Sequence, residues 1–308
     1  MRFERTLVVL KNYLGDTVMA SPLVRSIHAD TAQLSILGSP VTEQLLRFPN
    51  FSAQFTDPGN LGNAANLFRQ ATVLRRQRFE AAILVNRSFR SALLVRLARI
   101  PVRVGHDTEG RGVLLTHRVE YDLEKNEALC YLDLAHSIGI EPKFGNPELW
   151  ISEAEREQGR QLVRTATVGV QPGARHEYKQ VPIRIQTEVI EALKSKGCKV
   201  AYLGGKEERS LLARLPTPDV DLIGSTTIRE TIAALANLRL VVGGDTGVMH
   251  MAAAIGTPTI TVFGPTPAKK WGWFQHPHQV IQANNGDISQ VDAESINQAV
   301  EKVLCDSS

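Results

Sequence analysis

The run Val241-Val242-Gly243-Gly244-Asp245-Thr246-Gly247-Val248-Met249-His250 joins an apolar stretch to two glycines, an acid, a hydroxyl and then a helical pattern. A helix that begins at such a point offers unpaired backbone N–H groups and the positive end of its dipole, a setting that favours phosphate. Asp245 or Thr246 can cap that helix. Gly247 lets a ligand approach the backbone, and His250, in the first helical turn, can point at the same anion. The same residues also fit an ordinary capped turn with an incidental histidine. A second cation lies upstream, where Lys179 follows Pro172-Gly173-Ala174. A lysine there can neutralise phosphate charge, and Gly173 and Ala174 leave room for backbone contact. The plainer reading is a solvated lysine above Tyr178. Glu207 and Glu208, after Leu203-Gly204-Gly205-Lys206, can accept from ribose hydroxyls as acids after such strands often do, or can charge a helix start.

Near the N-terminus, Leu14-Gly15-Asp16 follows the first apolar run. A carboxylate in a loop after that run can serve as a general base. It can also simply cap the helix through Pro22. Farther on, Ser88, Arg90, Arg103, Asp107, Glu109 and Arg111 share a turn-rich segment. Guanidinium groups there can grip a ligand that carries carboxylate or phosphate.

These groups need elements to hold them. Short β-branched runs at Thr6–Leu10, Leu34–Leu37, Ala81–Val85, Thr167–Gln171, Lys199–Leu203, Leu238–Val242 and Thr259–Phe263 are continuously apolar, as strands covered on both faces should be. Helical patterns intervene at Pro22–Ala29, Phe89–Ala98, Ile185–Lys194, Arg229–Ala236 and Val248–Ile255. Alternation of this kind predicts parallel βαβ units. It pauses once, at the turn-rich stretch Gly139–Glu153 with Pro142, Gly145, Asn146 and Pro147, and a second series starts at Thr167. A chain of 308 residues is long for one core. The expectation is two doubly wound α/β domains, residues 1–150 and 151–308, facing a cleft where ligands meet the carboxyl ends of the strands.

Bulk properties narrow the class. Lys and Arg number 35 against 32 Asp and Glu, too mild a balance to predict nucleic-acid binding. Cys130, Cys198 and Cys305 are an odd set without metal-ligand spacing, which predicts a reducing compartment. The N-terminal apolar stretch, Leu7–Leu10, is too short for a secretory signal. The longest apolar window, Val248–Phe263, is broken by Gly256 and Pro258 and too short to span a bilayer. A cytoplasmic protein, at most peripheral to the inner face of the membrane, is expected. Asp219-Val220-Asp221 has the D-x-D form of a metal–diphosphate motif but follows Pro216-Thr217-Pro218 and reads as a turn. His276 and His278 flank Pro277 without further ligands nearby, so no metal site is expected there. The P-loop and nucleophile-elbow patterns do not occur.

The stretch G-D-T-G-V-M-H-M-A-A-A-I-G-T-P-T-I-T-V-F-G-P-T, residues 244–266, resembles the signature of glycosyltransferase family 9, the heptosyltransferases. Gly15-Asp16, Pro172-Gly173-Ala174 with Lys179-Gln180-Val181-Pro182, and the segment Asn86–Arg111 are similar to further motifs of that family, the last to its second heptosyltransferase. Where the family usually has tryptophan, Val181 stands here, which predicts different packing beside Lys179. The resemblance implies a B-type fold of two Rossmann-like domains and inverting transfer without metal or cofactor. It also implies a nucleotide-sugar donor such as ADP-heptose, and a saccharide or glycolipid acceptor such as lipopolysaccharide inner core. By the same resemblance Asp16 is the catalytic base of an acceptor-binding first domain with Ser88, Arg90 and Arg111. The second domain binds donor through Gly173, Ala174, Lys179, Glu207, Glu208, Thr226, Asp245, Thr246, Gly247 and His250. Two rival readings share the fold: a sugar-nucleotide 2-epimerase, for which no second acid/base set is found, and a nucleotide-sugar-binding protein without turnover.

Overall fold

A computed structural model describes residues 3–273 and 278–305; His276 and Pro277 lie outside them. The chain divides into two units, Met1–Pro147 and Glu148–Ser308. In the first, β1 (Phe3–Val9) leads through α1 (Leu14–Met19) and α2 (Ser21–His28) to β2 (Thr31–Leu37) and α3 (Pro40–Leu45). Then come β3 (Gln54–Thr56), α4 (Ala64–Arg76), β4 (Ala81–Leu84), α5 (Phe89–Leu97), β5 (Val102–His106), β6 (His117–Val119) and α6 (Glu127–His136). The second runs α7 (Glu153–Val163), β7 (Val168–Gln171), α8 (Ile183–Ser195), β8 (Val200–Tyr202), β9 (Val220–Asp221) and α9 (Ile228–Leu235). It ends with β10 (Leu240–Gly244), α10 (Gly247–Ala254), β11 (Thr259–Phe263), α11 (Ala268–Trp271), β12 (Gln279–Gln282) and α12 (Ala293–Cys305).

The two sheets read β3-β2-β1-β4-β5-β6 and β12-β11-β10-β7-β8-β9. Every pairing is parallel. Counted within its own unit, each sheet has the same order, 3-2-1-4-5-6, that of the doubly wound dinucleotide-binding fold. Strand order reverses between β1 and β4 in one sheet and between β7 and β10 in the other, and ligands of such sheets bind outside the carboxyl ends at that reversal. Both motifs of interest sit there: Asp16 after β1, and Asp245 after β10.

The strands are as apolar as sheets covered on both faces require. Ala81–Leu84 and Thr259–Phe263 are buried at every position. In the first unit Leu67, Ala71 and Leu74 of α4 and Ala92, Leu94 and Val95 of α5 pack with Leu7, Val9, Ala82 and Leu84 in one cluster. In the second, α8 and α12 supply Ile185, Val189, Ile296 and Val300 against Val168, Val242, Ile260 and Val262. Strand length tapers outward. The four edge strands β3, β6, β9 and β12 have 3, 3, 2 and 4 residues, against 7 for β1 and β2. No helix among the described residues is long and apolar enough to cross a membrane.

Candidate active site

In the second unit the carboxyl ends of β7 and β10 converge. Asp245 is the first residue beyond β10 and is nearly buried, 6% exposed. Lys179 Nζ donates to its Oδ2 at 2.6 Å, and His250 Nε2 stands 3.5 Å from its Oδ1. Burial alone would raise the Asp245 carboxyl, but the His250 hydrogen bond and the Lys179 ammonium bring it down to about 2. The tautomer of His250 follows from its other neighbour. Trp273 Nε1 donates to His250 Nδ1 at 3.0 Å, and an indole N–H can only donate. Nδ1 is therefore the acceptor, and Nε2 carries the proton that faces Asp245.

The lysine reaches this place because its loop lies directly on the strand end. A β-carbon on Gly244 would collide with the Lys179 carbonyl, so only glycine fits there. Thr246 opens α10 with extended backbone, but its hydroxyl makes no bond to the helix's N–H groups. It donates instead to Gln171 Oε1 at 3.3 Å, and Gln171 Nε2 donates to Glu208 Oε1 at 3.1 Å. Neither Asp245 nor Thr246 is thus a side-chain cap, and the α10 terminus keeps its N–H groups for another acceptor. Glu208 folds over Gly173, where a β-carbon would strike its Cγ, and accepts from the Gly205 N–H. Burial pushes its carboxyl upward. Glu207 is exposed. Of the two acids, only Glu208 is tied into the convergence of strand ends.

In the first unit Asp16 lies in the first turn of α1, whose N-cap is Tyr13; it caps nothing. Its Oδ1 accepts from Lys11 Nζ at 2.6 Å and from Tyr131 Oη at 3.1 Å. Among the described residues no donor reaches Oδ2. Lys11 also donates to Glu127 Oε1 at 3.1 Å, and Tyr121 Oη donates to Glu127 Oε2 at 2.5 Å. Burial alone would raise the Glu127 carboxyl, but Lys11 and Tyr121 hold it at about 2. Tyr131 is driven well up by burial and by the Asp16 and Glu127 carboxylates. One face of Asp16 is therefore fixed by a charged, buried lattice while the other stays open.

A model of glycosyltransferase family 9 (heptosyltransferase) matches residues 67–301. The chain belongs to glycosyltransferase family 9. It is 27% identical to lipopolysaccharide heptosyltransferase 2 of Escherichia coli K12, over 92% of this chain and 89% of that one. The structure of E. coli ADP-heptose lps heptosyltransferase II superposes with a TM-score of 0.83 at 22% identity, covering 98% and 99% of the two chains. That of E. coli heptosyltransferase WaaC with ADP-2-deoxy-2-fluoro heptose gives 0.71 at 18% identity, over 97% and 99%. The family's two-sheet α/β fold, expected from the strand–helix alternation, is the one observed.

Of the residues that the family motifs singled out, Gly173, Lys179, Glu208, Asp245, Thr246 and His250 come together. Ala174 lies in the same loop, and Gly247 is the first residue of α10. Thr226 is engaged elsewhere, its hydroxyl 2.9 Å from that of Thr231. In the first unit Ser88 caps α5 by accepting from the Arg90 N–H at 3.2 Å, and Arg90 is exposed. Arg111 differs from expectation. It is wholly buried, donating to the carbonyls of His106 and Asn86 at 2.9 and 2.5 Å, and burial brings it down to about 10. It ties β5 to the loop after β4 and offers no exposed atom to an acceptor. Asp219, in the D-x-D triplet, accepts from the Val200 N–H, and Asp221 from the Ile223 N–H; both fasten a sheet edge.

Sequence reasoning did not single out Gln171, Trp273, Lys11, Glu127 or Tyr131. A polar residue closing the otherwise apolar Thr167–Gln171 run was the available signal for Gln171. Around Val181, in place of the family's tryptophan, a cavity of about 20 Å³ is lined by Val170, Val189, Ile190, Val242 and Val262.

Proposed function

We propose that this glycosyltransferase moves a heptose or related sugar, with inversion and without a metal, from ADP-heptose to a saccharide of the lipopolysaccharide inner core. The observation that carries the reading is the Lys179–Asp245–His250 group at the start of α10, where the second sheet's strand order reverses. Lysine has three N–H donors. One is spent on Asp245, which aims the ammonium and leaves two for the donor's diphosphate. As the sugar–phosphate bond breaks, charge grows on the leaving diphosphate, and a fixed ammonium beside helix N–H groups stabilises it.

The first unit would receive the acceptor. Asp16 Oδ2 takes the proton of the attacking hydroxyl while that oxygen bonds the anomeric carbon from the face opposite the diphosphate. Lys11 and Tyr131 hold the carboxylate in place through Oδ1. Arg90 would meet acidic groups of the acceptor. The donor assignment draws support from the relative whose structure holds an ADP-heptose analogue, and the acceptor from the lipopolysaccharide heptosyltransferases among its relatives. A lipid-borne acceptor would bring the chain against the inner face of the cytoplasmic membrane.

Incubation with ADP-, GDP- and UDP-linked sugars, with and without acceptor, in EDTA, tests this. Transfer of the ADP-linked sugar that needs acceptor, inverts the anomeric centre and survives EDTA is expected. Epimerisation without acceptor, or binding without turnover, would displace the reading. Full loss in EDTA restored by magnesium would remove the metal-free mechanism.

A further inference from the structure

Residues 59–106 contain nine arginines, no lysine and a single acid, Glu80, for a net +8, whereas the whole chain sums to +3 and the remainder therefore to −5. The segment holds α4 and α5, which pack side by side on one apolar cluster, so their outer surfaces look the same way. On α4 the inner stripe is Leu67, Gln70, Ala71 and Leu74. The outer stripe at i, i+3, i+4, i+7, i+8 and i+11 is Ala65, Phe68, Arg69, Thr72, Val73 and Arg76. Arg69, Arg75, Arg76, Arg78, Arg96 and Arg99 are all exposed. Among the described residues none of the six forms an ion pair. Like charges crowded without protein counterions repel one another, and an anionic surface would relieve that repulsion.

Large apolar side chains sit among these cations: Phe68 is 58% exposed, Val73 42% and Phe89 42%. A helix face that interleaves arginine with phenylalanine suits a bilayer surface, where guanidinium groups meet lipid phosphates and the rings enter the acyl boundary. We propose that the outer face of α4 and α5 docks on an anionic phospholipid bilayer. The choice of partner rests on the reading that the acceptor is lipid-borne; the surface itself rests on charge and exposure. An extended polyanion such as RNA would use the arginines but leaves the exposed Phe68 and Val73 without a role, which favours lipid.

Sedimentation of the full-length protein with acceptor-free vesicles tests the proposal. Vesicles of phosphatidylcholine with phosphatidylglycerol should carry the protein down, and pure phosphatidylcholine should not. Each arginine near an anionic surface contributes about fivefold to partitioning. Combining Arg69→Gln, Arg75→Gln and Arg76→Gln should therefore weaken binding roughly a hundredfold, with an unchanged thermal melt to show that the fold is intact. Phe68→Ser should lose the part of the binding that persists at high salt, where screened charges no longer act. Equal binding to both vesicle types, or full binding by the triple variant, overturns the proposal. So does a single-stranded RNA oligonucleotide bound so tightly that phosphatidylglycerol vesicles cannot displace it. Transfer to a lipid-free acceptor should be the same in the triple variant. Loss of vesicle binding with transfer intact concerns this surface alone, whereas absent transfer with vesicle binding intact concerns only the enzymatic reading.

Discussion

Replacing Asp16 by asparagine separates chemistry from structure because the surroundings dictate how the amide must sit. Lys11 Nζ and Tyr131 Oη both donate to Oδ1, at 2.6 and 3.1 Å. The carbonyl oxygen of the introduced amide must take that position, since an amide nitrogen there would face two donors. Its NH2 then occupies the place of Oδ2, turning the open acceptor into a donor. The hydroxyl proton has nowhere to go. Loss of a positioned base lowers turnover by about two to four orders of magnitude, or about 3–5 kcal/mol in barrier height. The fold should lose much less. The Lys11 ammonium exchanges a carboxylate for a neutral amide oxygen, a change of about 1 kcal/mol and about 2–4 °C in Tm. ADP affinity should not move, because the residues proposed to bind it lie in the other unit. The assay is steady-state transfer of heptose at saturating donor, with calorimetry for ADP. A kcat within a few-fold of wild type, with ADP binding intact, refutes the base assignment. Weakened ADP binding would instead make Asp16 a donor-positioning residue.

Lys179→Ala should weaken ADP-heptose about ten- to hundredfold, the worth of a charge-assisted contact to phosphate, and unchanged affinity by calorimetry would remove Lys179 from the site. Glu127, held at about 2 against an ordinary 4.5, binds a proton less readily folded than unfolded. Its contribution is complete above pH 4.5 and is lost as pH falls toward 2. Glu127→Gln should cost about 3 kcal/mol at neutral pH, because Lys11 loses its buried partner, and should flatten the loss of urea resistance between those pH values. An equally steep acid limb in the variant would deny Glu127 this role. Val181→Ile adds one methyl group to a cavity of about 20 Å³ and should stabilise by up to about 0.8 kcal/mol, raising Tm by about 2 °C; a lower Tm would mean the cavity wall cannot accept it.

The seven strands marked by apolar runs all formed, because burial on both faces writes itself into composition. The strands that left no such mark are the edges and β5. Gln54–Thr56, His117–Val119 and Gln279–Gln282 are short and partly polar, and Val102–His106 alternates with arginine and glycine. The clustering of Asp245, Thr246 and His250 was legible because the three lie within one βα turn, where spacing fixes proximity. The lattice behind Asp16 was not. Lys11 meets Glu127 across 116 positions and Asp16 meets Tyr131 across 115, and no local pattern encodes such contacts. Arg111 illustrates the reverse error. Its neighbours in sequence are polar and turn-forming, which reads as surface, yet its side chain is wholly buried on the carbonyls of His106 and Asn86.

The taper of the two sheets bears on how the protein behaves in a crowded solution. An exposed strand edge is a row of unsatisfied N–H and C=O groups that invites another chain to add itself. Here the long strands β1 and β2 are interior, and the outermost rungs are only two to four residues long. Polar Gln54, Arg118 and Asp221 stand on three of these rungs. Too few consecutive backbone groups are presented to template a foreign strand. The fold is thus guarded against aggregation at the margins of its sheets, and lengthening β3 or β12 with β-branched residues should create a nucleation site where none now exists.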